Sequence, residues 1–117
     1  MITQDDIDAW RQYQMTFEEY QIEAEKTAIY PKEHEIVYPA LGLAGEAGEV
    51  ANKVKKMLRD GKFDREDVAA EVGDCLWYIA ALCRDLHFDM TDLAQRNLNK
   101  LKSRMERGTI QGSGDKR

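Results

Sequence analysis

Proline occurs only at positions 31 and 39, and beyond Pro39 no further proline breaks the chain. No stretch alternates apolar and polar residues over a strand's length, so the expected fold is all-α. The two prolines bracket a polar stretch that separates an N-terminal helical region from the rest.

The N-terminal region offers two helix starts. One is at Thr3, and the other at Thr16, where Glu19 three residues on forms a capping-box pattern ahead of Tyr20, Ile22 and Ala24. A second helix is expected from about Pro39 to Arg59, with Leu43, Val50, Val54 and Met57 on one stripe and Gly61 as its stop. A third should start at Asp64, with Asp67 three positions on, and run through Leu86. His87, Phe88 and Asp89 then make a turn, and a fourth helix follows with Thr91 as its N-cap and Gly108 as its end. Residues Thr109 to Arg117 have no periodicity, contain Gly112 and Gly114, and read as a flexible terminus.

A length of 117 residues fits one domain, 1–117. Seventeen basic against 22 acidic residues give a net charge of -5, which disfavours a nucleic-acid polymer as partner. The same acidity does not exclude nucleotides, because an acidic cleft turns electrophilic once it holds divalent cations. Cys75 and Cys83, on one helix, would sit about 12 Å apart along its axis, too far for a disulfide. Reduced cysteines, no signal-like leader and no long apolar run point to a cytoplasmic protein without a membrane partner.

The third helix carries the sharpest anomaly. From Val68 to Cys83 its only charged side chains are Glu71 and Asp74, while Val72, Cys75, Leu76, Ile79, Leu82 and Cys83 form an apolar stripe and Ala70, Trp77, Ala80 and Ala81 fall opposite. An all-round apolar helix is a buried one, and in so short a chain a second burying surface suggests a subunit interface. Buried carboxylates need a counter-charge or a metal, yet neither acid has a Lys or Arg four residues away on its own helix.

The second helix has a matching row, Glu46 and Glu49 continued by Lys53, as Glu71 and Asp74 are continued by Tyr78. Laid antiparallel, the two helices would gather four carboxylates, an all-oxygen set suited to Mg²⁺ or Mn²⁺. Acid pairs at this spacing arise by chance about four times in a chain of such composition. Two pairs on apolar helices are more specific than one. A ferritin-like di-iron centre, which needs Glu-x-x-His, does not fit, because Pro31 and Arg84 stand three residues before His34 and His87.

The run Gly42-Leu-Ala-Gly-Glu-Ala-Gly-Glu-Val-Ala-Asn-Lys-Val-Lys-Lys, followed by Glu71-Val-Gly-Asp-Cys-Leu-Trp-Tyr, resembles the MazG-like all-α nucleoside triphosphate pyrophosphohydrolases. Their mark, Glu-x-x-Glu, a spacer, then Glu-x-x-Asp, is intact. The resemblance extends to Thr16-Phe-Glu-Glu-Tyr-Gln, to Asn97-Leu-Asn-Lys100 and to the Gly112–Arg117 tail, leaving only residues 1–15 as an unmatched extension.

The resemblance implies a four-helix catalytic unit assembled as a homodimer or homotetramer. It also implies Mg²⁺-dependent hydrolysis of (deoxy)nucleoside triphosphates to monophosphate and pyrophosphate. Glu46, Glu49, Glu71 and Asp74 match the metal positions. Lys53, Asn97 and Lys100 match positions that face the nucleotide in relatives, and Tyr78 matches one that can contact it. Among the carboxylates, Glu46 or Glu49 is the candidate to take a proton from the attacking water. The tail then has a second reading, as a lid over phosphates. The rival function is a catalytically weak nucleotide- or partner-binding bundle that uses the same acids as a sensor.

Overall fold

The computed structural model describes all residues from Met1 to Arg117 and contains helices only. They are α1 (Gln4–Trp10), α2 (Phe17–Glu25), α3 (Val37–Asp60), α4 (Arg65–Asp85) and α5 (Met90–Glu106), with a 3₁₀ turn at Lys32–His34. The two longest, α3 and α4, form an antiparallel hairpin. Helix α2 packs on α4 and on α5.

Local chemistry explains the boundaries. Thr3 and Asp6 form a complete capping box, the Thr16 hydroxyl accepts the Glu19 N–H, and Asp64 accepts the N–H groups of Glu66 and Asp67. Gly61, at φ +73°, ends α3 with its N–H on the Met57 carbonyl. The start of α5 differs from the sequence expectation: Asp89, not Thr91, is the N-cap, its carboxylate accepting the Thr91 N–H at 2.7 Å. A carboxylate there also meets the positive end of the helix dipole, which a hydroxyl two residues later does not.

Helix α3 also starts two residues before the expected Pro39. Proline is tolerated in a first turn because its missing N–H would have had no intrahelical acceptor. Just ahead lies Ile36 at φ +69° and ψ -56°, with the Val37 N–H donating to the Glu35 carbonyl at 2.7 Å. This is a γ-turn of positive φ, strained for a β-branched residue. It is pinned by Asp85, whose fully buried carboxylate accepts the Ile36 N–H at 2.9 Å and the Tyr30 hydroxyl at 2.7 Å. Arg84 donates to its other oxygen.

The core is small. Ala24, Ala80, Cys83 and Met90 form it, with Tyr20, Leu76, Trp77 and Leu93 packed around them. Helix α4 is therefore not buried all round within one chain: Val72 and Ile79 remain 54% and 38% exposed, because α2 and α3 cover only part of its circumference. Trp77 faces the core, its indole N–H donating to the Thr27 hydroxyl at 2.8 Å. Both cysteines are free thiols. No helix is long and apolar enough to cross a membrane.

The tail folds back. The Arg117 guanidinium donates to the carbonyls of Thr109, Ile110 and Gly114, while Asp115 accepts from Lys100 and Arg104 on α5. Isolated polar side chains make these contacts, so no periodicity announces them.

Candidate metal centre

Glu46 projects from α3, and Glu71 and Asp74 project from α4 at i, i+3 spacing, which puts the latter two on one face of their helix. The hairpin sets the rows opposite each other, and one carboxylate oxygen from each of the three residues lies within 4.8 Å of the others. Lys53, two turns past Glu46, reaches across to Glu71 at 2.9 Å and to Asp67 at 2.7 Å. Glu71 thus finds its cation on the neighbouring helix rather than on its own.

The electrostatics of the cluster are those of crowded acids. The Glu46 carboxyl is raised above the usual range, first by its hydrogen bond with Glu71, then by burial and by the charges of Asp74, Glu71 and Glu49. Glu71 is lowered, first by Lys53 and then by Glu46. Lys53 is raised by Asp67 first and Glu71 next, so its ammonium stays charged. One lysine cannot balance three acids, and an all-oxygen donor set converging from two helices fits a hard divalent cation.

The remaining candidate residues fall into two groups. Glu49 stands one turn beyond Glu46 on α3, exposed and outside the three-oxygen group, although its charge still acts on Glu46. Tyr78 lies within reach of the cluster: its hydroxyl is raised by burial first, then by Tyr38, Glu46 and Asp74. Its ring edge rests against Gly42, one turn before Glu46. Asn97 and Lys100, by contrast, sit on α5, and neither is joined to the carboxylates by a hydrogen bond or ion pair within this chain. Lys100 is paired with Asp115 instead.

Three participants escaped the sequence reading. Asp67 continues the α4 row one turn before Glu71, a spacing visible in the sequence. Tyr20 comes from α2, and its hydroxyl is raised by burial and by the charge of Asp74. Tyr38 stacks on Tyr30 at 4.7 Å and stands 6.4 Å from Tyr78, forming an aromatic row from the Asp85 network toward the carboxylates. Nothing local in the sequence signals this row.

Fold and site together define an all-α bundle whose central hairpin carries a carboxylate centre. Residues 36–109 match the model of the MazG nucleotide pyrophosphohydrolase domain, well over half of the chain, and the protein belongs to that family. The chain is also 50% identical over 109 residues to the gene 37 protein of Mycobacterium phage L5, covering 84% of this chain and 96% of that protein. No solved structure matches. The family match opens at Ile36, the γ-turn, and closes at Thr109, so α1, α2 and residues 110–117 lie outside it.

Proposed function

We propose that the protein hydrolyses (deoxy)nucleoside triphosphates between the α and β phosphates, releasing monophosphate and pyrophosphate, in the sanitation or control of a nucleotide pool. The observation that carries this reading is the convergence of Glu46, Glu71 and Asp74 from two helices, with Lys53 at their edge. Family membership supports the reaction class.

Glu46, Glu71, Asp74 and Glu49 would hold Mg²⁺, or Mn²⁺ in its place. When bound, the divalent cation supplies charge neutralisation of the polyphosphate and Lewis acidity. Glu46, or the exposed Glu49 one turn on, would take up the proton lost by the attacking water. Lys53 offers a fixed positive charge to the phosphates, and Tyr78 borders the nucleotide.

Asn97 and Lys100 complete the site from a second copy of the chain, in a homodimer or homotetramer. Only eight of 117 residues are buried in one chain, which leaves Leu41, Leu58, Val72, Leu98, Leu101 and Met105 exposed for a second copy to cover.

The test is incubation with Mg²⁺ and a panel of NTPs and dNTPs, following monophosphate and pyrophosphate. Turnover that is lost in Glu71→Gln, with helicity retained, is the expected result. Tight nucleotide binding without turnover would replace the enzyme by a sensor built on the same acids.

A further inference from the structure

Lys53 is the one cation paired with the acidic cluster, and its ammonium is fully engaged. Three N–H donors meet three acceptors: Oε1 of Glu71 at 2.9 Å, Oδ1 of Asp67 at 2.7 Å and the Asp67 carbonyl at 3.3 Å. Asp67 and Glu71 stand one turn apart on α4, so a single lysine from α3 spans both. The two acids differ in setting. Glu71 is 15% exposed and shares the three-oxygen group with Glu46 and Asp74, whereas Asp67 is 49% exposed, lies outside that group and lines an open cleft of about 280 Å³ together with Lys53.

A divalent cation drawn to Glu46, Glu71 and Asp74 competes with Lys53 for Glu71, and two positive centres on one carboxylate repel each other at short range. The lysine has to yield. An ammonium set loose among the acids would keep opposing the ion, but Asp67 already holds it through two of its three contacts, on the side of the open cleft. The handover needs no movement of the backbone.

We infer that Lys53 is the resident counter-ion of Glu71, and that Asp67 is a positioning residue that retains the ammonium when a divalent cation takes Glu71 from it. The binding of a cation at this cluster rests on the function proposed above. Through the exchange Glu71 is neutralised before the ion arrives and released once it does, while the lysine's charge stays at the edge of the site. Asp67 acts on the ion only through Lys53.

The experiment is a double-mutant cycle, read by calorimetric titration of the full chain with Mn²⁺ and no nucleotide, in the parent, Asp67→Asn, Lys53→Met and the double variant. Asp67→Asn is expected to bind Mn²⁺ about threefold more weakly than the parent, the scale of one such ion pair, because Lys53 is left with Glu71 as its only carboxylate. Lys53→Met should bind Mn²⁺ about threefold more tightly. With Lys53 gone, Asp67→Asn should change the affinity by less than about twofold. A carboxylate acting on the ion merely as a nearby negative charge gives the opposite order, since its field is stronger once no lysine neutralises it. An equal or larger loss in the Lys53→Met background would therefore overturn the inference.

Should Lys53→Met lose helicity, Lys53→Gln replaces it in the cycle. Mn²⁺ binding is read without turnover, so the two readings fail separately. A parent that binds Mn²⁺ and couples as described, yet hydrolyses no nucleotide, defeats the proposed reaction and leaves the exchange standing. Turnover with the coupling absent or reversed does the reverse, and a parent that binds no Mn²⁺ overturns both.

Discussion

The ring edge of Tyr78 lies so close to Gly42 that a Cβ built there would stand 2.1 Å from Cε1 of the tyrosine. The absence of a side chain at one position of α3 thus sets how α4 seats, one turn from Glu46 on one side and one turn from Asp74 on the other. Gly42→Ala is expected to destabilise the hairpin by about 1–3 kcal/mol, the usual range for overpacking. A melting temperature equal to or above that of the parent would refute this.

Gly48, on the same helix, has no atom within 4 Å of its would-be Cβ. Alanine there should stabilise α3 by about 0.8–1 kcal/mol, the difference in helix propensity. Denaturant unfolding measures it, and a loss of stability instead would mean that a second copy closes on that face.

The acidic cluster should make stability depend on divalent cations. At a hundredfold excess over its dissociation constant, an ion bound only by the folded chain adds about 2.7 kcal/mol. Mg²⁺ or Mn²⁺ is therefore expected to raise the melting temperature, chelation to reverse the rise, and Glu71→Gln to abolish most of it. An equal rise in that variant would place the ion elsewhere.

Asp85 provides a pH test away from the metal centre. Burial pushes its carboxyl up, but the Ile36 N–H, the Tyr30 hydroxyl and Arg84 outweigh burial, and its pKa ends below the ordinary 3.8. A depressed carboxylate stabilises the fold above its unfolded pKa, and that stabilisation is lost as pH falls through the folded value. Between pH 5 and acid of roughly pH 2, the parent should lose more melting temperature than Asp85→Asn. At neutral pH the variant should be less stable by about 2–3 kcal/mol, since Arg84 loses its partner. Parallel pH curves would show that Asp85 contributes nothing through its charge. The same network pushes the Tyr30 hydroxyl up to about 12, first through burial and then through its bond to Asp85.

What the residues announce in advance follows from how local each cause is. The helices, Gly61 as a stop and the two acid rows were legible because caps and i, i+3 spacing are short-range facts. The match between Lys53 and Glu71 was half legible: both rows were visible, but the pairing needed the hairpin's register. The Tyr38–Tyr78 contact joins residues 40 positions apart and the Asp85 network residues 49 and 55 apart, and no periodicity encodes that. Asn97 and Lys100 show the limit from the other side. The resemblance implies that they face the nucleotide, yet within one chain no hydrogen bond or ion pair joins either to the cluster's acids, and Lys100 is paired with Asp115.

The γ-turn at Ile36 fixes the root of α3. Glu46 is ten residues along, ~15 Å at 1.5 Å per residue, so tilting the helix by about 10° at its root would swing that carboxylate by roughly 2–3 Å. A displacement of that size exceeds the tolerance of any coordination sphere. The aim of the carboxylate row therefore depends, beside the α3–α4 seam, on one backbone amide, that of Ile36, held by a buried acid on another helix.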